Sequence, residues 1–239
     1  MSQVVVITGI GKRLGFQLAQ TLQQEGYQVV GTYRTEYPTL SLLRELGAHL
    51  HQVDFYHQEQ VDRFIALLLQ HYPTLRAVIH NASEWRPDPN GKHNIHATAA
   101  DVMHRMMTVH AAVPYQVNLA LQDRLRENGH ADIIHIGDFV AEKGSKKHIA
   151  YAASKAAMNN LTLSFASLLA PNVNVNSISP ALLKFNPEDD ETYKQKALAK
   201  ALLPREAGFN EIIEGVKMLL NSRFMTGRNL QFDGGRHLK

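Results

Sequence analysis

The sequence predicts an α/β fold in which a parallel sheet of about seven strands is covered by helices on both faces. Short runs of β-branched and other apolar residues alternate with longer amphipathic stretches along the whole chain. The strand-like runs are almost continuously apolar, which is typical of strands buried on both faces of a sheet. Such alternation produces a doubly wound, Rossmann-type sheet, in which ligands bind outside the carboxyl ends of the strands.

The individual elements follow from local composition and periodicity. Seven short apolar segments predict strands: Gln3–Thr8, Gln28–Tyr33, His49–Val53, Ala77–His80, Asp132–Ile136, Val173–Ile178 and Asn229–Phe232. Apolar residues at helical spacing predict helices over Arg13–Glu25, Leu40–Leu46, Glu59–His71, Ala99–Val109, Pro114–Arg126, Ala150–Leu169 and Asn210–Asn221. No linker or repeat interrupts the pattern, so residues 1–239 are expected to form a single domain.

One segment, Pro180–Pro204, is irregular and long for a connection in such a sheet. Long connections often act as lids over a site. The alternative is a helical excursion without a function, and the sequence leaves both open.

The composition excludes several classes of site. The chain has 25 Lys+Arg, 22 Asp+Glu and a formal net charge of +3, without a basic run that would suit nucleic acid. Cysteine is absent, which excludes disulfides and thiolate metal sites. The 13 histidines are scattered without metal-ligand spacing, so no metal is expected.

The amino-terminal sequence predicts a cytoplasmic protein. Met1-Ser2-Gln3 leads directly into an apolar run, without a basic leader or a cleavage site. That run is far too short to span a membrane, and no membrane partner is expected.

A glycine-rich turn follows the first predicted strand, with the sequence Thr8-Gly9-Ile10-Gly11-Lys12-Arg13-Leu14-Gly15. Glycines let backbone N–H groups approach a pyrophosphate at the beginning of a helix. The spacing differs from G-x-G-x-x-G because the last glycine comes one residue later, so an ordinary turn is the alternative. Arg13 could reach a phosphate directly.

The end of the second strand indicates which dinucleotide would bind. An acidic residue usually stands here in NAD enzymes, where it binds the ribose 2′-OH. This chain has Arg34, followed by Thr35, and the first acid is Glu36. A guanidinium suits a 2′-phosphate, so the predicted cofactor is NADPH. The alternative for Arg34 is a solvated surface residue.

A tyrosine and a lysine four residues apart open the longest predicted helix. Tyr151 and Lys155 would share one helix face. A nearby ammonium is expected to lower the pKa of the tyrosine and make it a better proton donor near neutral pH.

With these motifs the chain resembles the short-chain dehydrogenase/reductase family over essentially its whole length. Asp54 matches the family residue that binds the adenine, Asn81-Ala82-Ser83 matches the Asn-Ala-Gly element, and Pro180-Ala181 resembles the Pro-Gly beside the nicotinamide. The resemblance implies cofactor contacts from Gly9, Lys12, Arg13, Leu14, Gly15, Arg34, Thr35, Asp54, Asn81, Ala82, Ser83, Tyr151, Lys155 and Pro180. It also implies a homotetramer, with the helices that begin near Pro114 and Ala150 at the interface.

Two departures from the family pattern stand where catalytic residues are expected. Asp138 replaces the serine thirteen residues before the tyrosine, and His110 replaces an asparagine. A carboxylate only accepts hydrogen bonds, so it suits the N–H groups of a nitrogen heterocycle rather than a carbonyl oxygen. It could also carry a proton if burial raises its pKa. His110 could hold a relay water, titrate or simply pack.

Aspartate at this position is the pattern of the pteridine reductases within the family. Lys12-Arg13-Leu14 and Asn81-Ala82-Ser83-Glu84-Trp85 are similar to their segments, in which the arginine faces the substrate and the aromatic residue stacks on the pterin. Further segments, such as Lys147–Lys155 and Asp233–Leu238, are similar to the bacterial dihydromonapterin reductases. The implied substrate contacts are Arg13, Ser83, Trp85, Asp138 and Tyr151, although Trp85 could instead be a generic packing residue.

The predicted activity is NADPH-dependent reduction of a 7,8-dihydropterin, with dihydrofolate as a further candidate substrate. The predicted catalytic residues are Tyr151, Lys155, Asp138 and His110. Two alternatives stay open. One is a carbonyl reductase for 3-oxoacyl or similar substrates, and the other is a non-catalytic NADP-binding sensor.

Overall fold

Seven parallel strands form one sheet, in the order β3-β2-β1-β4-β5-β6-β7. In the computed structural model, which describes residues 3–89 and 95–239 (side chains from 98 after the gap), the strands are β1 Val4–Thr8, β2 Gln28–Tyr33, β3 His49–Gln52, β4 Ala77–His80, β5 Ala131–Ile136, β6 Val173–Pro180 and β7 Asn229–Phe232. The predicted fold class is confirmed. Met1 and Ser2, which entered the prediction about a leader, lie outside the described residues.

The strand order reverses next to β1, which pairs with β2 on one side and β4 on the other. Such a reversal opens a crevice at the carboxyl ends of the strands, because the connections on its two sides leave in opposite directions. The glycine-rich turn after β1 and the residues after β4 and β5 therefore meet at one place.

Helices cover both faces of the sheet. They are α1 Arg13–Gln24, α2 Thr39–Glu45, α3 Gln58–His71, α4 Ile95–Met107, α5 Val113–Arg126, α6 Val140–Lys143, α7 Ile149–Leu169, α8 Glu191–Leu198 and α9 Phe209–Asn221, with a 3₁₀ turn at Arg236–Leu238. No helix was predicted at α6, and α8 lies in the segment Pro180–Pro204, for which a helical excursion was one of two alternatives. A π-helical turn, Thr108–Ala112, joins α4 to α5 and carries His110.

Alternate strand residues pack into two separate apolar layers. Val5 and Ile7 face the layer that contains Leu18 of α1, whereas Val6 faces the layer that contains Phe64 of α3. Successive residues of a strand point to opposite faces, so an unbroken apolar strand supplies both layers. This burial holds the strand ends, and the turns that follow them, in fixed positions.

A chain of hydrogen bonds between polar side chains crosses the core beneath the crevice. The His80 Nε2–H donates to Asn118 Oδ1 at 2.8 Å, and the Asn118 amide donates to His135 Nε2 at 3.3 Å. The His135 Nδ1–H then donates to Thr162 Oγ1 at 2.8 Å. Burial lowers the pKa of His80 to about 4 and the pKa of His135 well below its usual value, so both rings are neutral.

Candidate active site

A cleft of about 910 Å³ lies at the carboxyl ends of the strands, where the strand order reverses. Every residue that the sequence predicted for cofactor or substrate binding lines it. His110 is the exception among the predicted site residues, because it lies buried behind the cleft wall, where it contacts the Ser83 hydroxyl and packs edge-on against the Tyr151 ring with centroids 5.3 Å apart.

The glycine-rich turn is shaped by close backbone approaches. A Cβ atom on Gly15 would lie 2.1 Å from the Gly9 carbonyl oxygen, and one on Gly9 would lie 2.7 Å from Ala82 Cα. The Asn81 amide donates to the carbonyl oxygens of Thr8 and Gly9, at 3.0 and 2.9 Å, and so fixes the turn to β1. Helix α1 begins here without a side-chain cap, which leaves backbone N–H groups directed at the cleft.

Arg34 lies at the end of β2 and pairs with an acidic residue that the sequence analysis did not single out. Its Nη1 is 2.9 Å from Glu84 Oε2, and Glu84 also contacts Arg86, Arg105 at 3.2 Å and the Tyr56 hydroxyl at 2.8 Å. Burial alone would raise the pKa of Glu84, but the hydrogen bonds from Arg105, Arg34 and Tyr56 outweigh it and lower the pKa to about 2. Three guanidiniums around one carboxylate leave a local excess of positive charge.

Arg13 connects the glycine-rich turn to the segment after β6. Its guanidinium donates to the Lys184 carbonyl at 2.6 Å and to Asn186 Oδ1 at 2.8 Å. Arg13 has a φ of 54°, a left-handed conformation that costs about 1 kcal/mol in a residue other than glycine. The segment Pro180–Pro204, whose role the sequence left open, thus contributes to the cleft wall and contains helix α8. Whether it closes as a lid stays a prediction.

Asp138 and Tyr151 meet at the wall of the cleft. The Tyr151 hydroxyl donates to Asp138 Oδ2 at 2.8 Å, and the Val140 N–H donates to Oδ1 at 2.9 Å. Burial raises the pKa of Asp138 above its usual value, against these hydrogen bonds and the charge of Lys155. Asp138 therefore accepts two hydrogen bonds within the protein and retains lone pairs for N–H groups of a ligand.

Lys155 does not act on Tyr151 in the way that the spacing predicted. Its ammonium donates to the Ile136 carbonyl at 2.8 Å, and burial lowers its pKa to about 8. The pKa of Tyr151 is raised well above its usual value, because the ring is buried and the Asp138 carboxylate lies beside its hydroxyl. The expected lowering of the tyrosine pKa is wrong for the chain as it stands, since the nearest charge to the hydroxyl is negative.

Trp85 presents one face to the cleft and is supported on the other. Its ring stacks on His148 with centroids 4.0 Å apart and an interplanar angle of 28°. The His148 Nδ1–H donates to the Arg86 carbonyl at 3.0 Å, while the tryptophan side chain is 62% exposed. Trp85 is therefore an exposed ring that stacks on His148 rather than a core residue. This arrangement argues against the alternative in which Trp85 is a generic packing residue.

Several residues with roles in this geometry were missed at the level of sequence. Arg34 was predicted, but its ion-pair cluster around Glu84 was not, because Arg34 and Arg105 lie 50 and 21 residues from Glu84 in the sequence. Ser154, whose hydroxyl lies 2.8 Å from His110 Nδ1, had a usable signal, because it lies three residues after Tyr151 within the same helical turn. Among residues 3–89 and 98–239, no group of three metal-ligating side chains could hold an ion, and no helix there is long and apolar enough to cross a membrane.

Comparisons with known proteins agree with this geometry. A family model described as Enoyl-(Acyl carrier protein) reductase matches residues 9–237. Dihydromonapterin reductases from Klebsiella pneumoniae and Escherichia coli (strain K12) are 46% and 47% identical to the chain over 237 residues, covering 98% of it and 97% of each relative.

Solved structures show the same fold. A short-chain dehydrogenase/reductase from Burkholderia xenovorans is 26% identical, with a TM-score of 0.84 over 100% of this chain and 99% of that one. FolM Alternative dihydrofolate reductase 1 from Brucella canis, complexed with NADP, is 22% identical, with a TM-score of 0.87 over 99% of this chain and 94% of that one. The chain belongs to the short-chain dehydrogenase/reductase family.

Proposed function

We propose that the chain catalyses the NADPH-dependent reduction of a 7,8-dihydropterin, such as 7,8-dihydromonapterin, to the tetrahydropterin. The observation that carries this proposal is the Asp138–Tyr151 pair at the cleft wall, with its 2.8 Å hydrogen bond. A carboxylate in this place offers acceptors to the N–H groups of a pterin and has no proton for a carbonyl oxygen while it is ionised. The names of the relatives that are 46–47% identical support the same substrate class.

The cleft fits the phosphates of NADPH. The backbone at Gly9 and Gly15 has no room for side chains, and the uncapped beginning of α1 supplies N–H donors for an anion. Arg34 is the residue that would hold the 2′-phosphate, with Thr35 beside it, and Asp54 lies further along the same wall. When bound, NADPH supplies the hydride that is added to C6 of the dihydropterin.

The chain's own residues would then supply the proton for N5. The Tyr151 hydroxyl holds a proton that it shares with Asp138 Oδ2, and the raised pKa of Asp138 favours return of a proton to this pair from solvent. Lys155 holds the Ile136 carbonyl and keeps a positive charge near the pair. Both hydroxyl and carboxyl are therefore candidates for delivering the proton, because Tyr151 already has its proton in place and burial raises the pKa of Asp138.

Trp85 and Arg13 would orient the substrate. The supported face of Trp85 gives a planar heterocycle a surface on which to stack, which aligns the ring for reaction. The Arg13 guanidinium lies between the phosphate turn and the segment around Lys184, so it can contact cofactor and substrate together.

The test is a comparison of substrates with the purified protein and NADPH, followed by the absorbance of the reduced nicotinamide. The set contains 7,8-dihydromonapterin, 7,8-dihydrobiopterin, dihydrofolate and an acetoacetyl thioester. We expect turnover with the dihydropterins and little with the thioester. Thioester turnover without pterin turnover would reject the proposal in favour of a carbonyl reductase, and NADPH binding without any turnover would favour a sensor.

Two variants at one position sharpen the comparison. Asp138→Ser restores the residue that the family usually has there, and Asp138→Asn keeps the shape but replaces one acceptor by a donor. We expect both to lose dihydropterin turnover by on the order of a hundredfold while NADPH still binds. Unchanged dihydropterin turnover in both variants would remove Asp138 from the mechanism.

The single domain, the homotetramer and the cytoplasmic location stay predictions. Exposed apolar side chains on α5 and α7, such as Tyr115, Leu163 and Leu168, support an interface on these helices. Sedimentation equilibrium of the purified chain distinguishes a tetramer from a monomer. A monomer at micromolar concentration would contradict the tetramer.

A further inference from the structure

His110 belongs to a chain of hydrogen bonds whose direction is determined at one end. The Ser154 hydroxyl donates to the Tyr151 carbonyl oxygen at 2.7 Å, and a carbonyl can only accept. The single hydroxyl proton of Ser154 is therefore committed. His110 Nδ1 lies 2.8 Å from the same Ser154 oxygen, so this nitrogen must carry the proton and donate.

The direction of the first bond determines the second. His110 is fully buried, and burial together with the charge of Lys155 lowers its pKa well below its usual value, so the ring is neutral. A neutral ring with its proton on Nδ1 has a lone pair on Nε2. The Ser83 oxygen lies 2.8 Å from Nε2, and with this lone pair as acceptor Ser83 donates its proton there rather than to the neighbouring Tyr151 hydroxyl.

We infer that His110 is a positioning residue that turns the Ser83 proton away from the cleft, so that Ser83 selects a substrate with an N–H group at this wall. Ser83 is exposed to the cleft and then presents only lone pairs to it. Asp138 on the same wall also accepts. The inference rests on the proposed function, because the amino group and ring N–H of a dihydropterin are donors of this kind, whereas a simple ketone has none.

The same bonds argue against a proton relay through His110. The chain runs from Ser83 through His110 and Ser154 and ends on a backbone carbonyl, which cannot pass a proton further. The π-helical turn Thr108–Ala112 places the ring between the two serines, and such turns recur at functional sites. Of the three roles left open for His110, orientation is the one that this geometry favours.

Two variants of His110 test the hydrogen bonds of its two ring nitrogens separately. In His110→Asn the amide nitrogen can replace Nδ1 and keep the bond to Ser154, but no acceptor remains for Ser83. In His110→Gln the amide oxygen can replace Nε2 and accept from Ser83. We expect His110→Asn to raise KM for the dihydropterin roughly tenfold with little change in kcat, and His110→Gln to restore most of the loss.

Ser83→Ala supplies the double-mutant cycle. It should raise KM about as much as His110→Asn, and combining the two should add little, because both remove the same oriented acceptor. Fully additive effects, or a larger loss in His110→Gln than in His110→Asn, would overturn the inference. A purely structural role for His110 would lower kcat and raise KM for the dihydropterin in both variants alike, instead of raising KM selectively in His110→Asn.

Histidine ¹⁵N NMR of the free protein tests the hydrogen-bond direction independently of activity. The signal missing in His110→Asn identifies the residue, and we expect a neutral ring with the proton on Nδ1. A proton on Nε2 would overturn the orientation of Ser83. If the wild-type protein reduces no dihydropterin, the proposed function and the substrate class fail together, while the NMR result still decides the orientation.

Discussion

The two histidines in the core make the stability of the fold depend on pH, and His80→Gln tests this directly. In the native protein the His80 Nε2–H donates to Asn118 Oδ1, and a glutamine amide nitrogen can take the place of Nε2. The variant therefore keeps the hydrogen bond but removes an ionisable group whose pKa differs between the folded and unfolded states.

The size of the effect follows from the pKa of His80. Its folded value of about 4 lies below the ordinary value of 6.5, so folding favours the neutral ring. Stability from this group is fully present above pH 6.5 and is lost as the pH falls toward 4. The whole shift corresponds to roughly 3 kcal/mol, of which about 2 kcal/mol is lost between about pH 7.5 and pH 5.

Urea unfolding of wild-type and variant protein at these two pH values is the assay. Other groups titrate in both proteins, but the charge of His80 also lowers the pKa of His135, so the difference between the two pH dependences reports His80 together with its coupling to His135. We expect the wild-type free energy of unfolding to fall more on acidification than that of His80→Gln, by roughly 1–3 kcal/mol. Equal pH dependence in the two proteins would show that His80 is not held neutral by burial.

Three further predictions concern the cleft. Tyr151→Phe should lower kcat by roughly a hundredfold or more while NADPH binding by calorimetry persists; near-normal turnover would remove Tyr151 from the chemistry. Arg34→Asp should weaken NADPH at least about tenfold more than NADH, and an equal effect on both dinucleotides in fluorescence titrations would reject the 2′-phosphate assignment. Trp85→Leu should raise KM for the dihydropterin by about tenfold, with Trp85→Phe close to wild type; identical constants for all three proteins would exclude stacking.

The sheet could be predicted well because its strands β1, β2 and β4 are largely apolar and buried on both faces. Each predicted strand corresponds to an observed one, and the differences lie at the ends. β6 continues to Pro180 instead of stopping at Ile178, because Pro180 pairs in register with Phe232 of β7. That partner is distant in sequence, so local composition gave no sign of the last two residues.

Helix α8, which the sequence left as one of two alternatives, shows a different limit. It follows an acidic run in which Asp190 accepts a hydrogen bond from the Tyr193 N–H at 2.7 Å and caps the helix. The capping signal was present in the sequence, but weak helical periodicity concealed it. The π-helical turn at His110 has no sequence signature of its own.

The site residues that could be predicted are those that follow the ends of strands. Gly9 and Arg34 stand directly after a strand and Asp138 stands two residues after one, so their meeting at one edge follows from topology alone. The hydrogen-bond partners could not be derived in that way. The pairing of Tyr151 with Asp138, and therefore the upward direction of the tyrosine pKa, depends on side-chain positions that spacing does not contain.

The Glu84 carboxylate has a consequence for selectivity among anions in solution. Without a ligand, Arg34 is already paired with a carboxylate 2.9 Å away, which Arg105 and the Tyr56 hydroxyl also help to hold in its ionised form. A small dissolved anion such as inorganic phosphate must compete with this internal carboxylate. The folded chain already holds the carboxylate in place, whereas a free anion loses translational entropy when it binds. A dinucleotide that binds as proposed would reach the same guanidinium while it is anchored elsewhere along the cleft, so its phosphate would act at a high effective concentration. The arginine would thereby be shielded from dissolved anions and remain available to a tethered one.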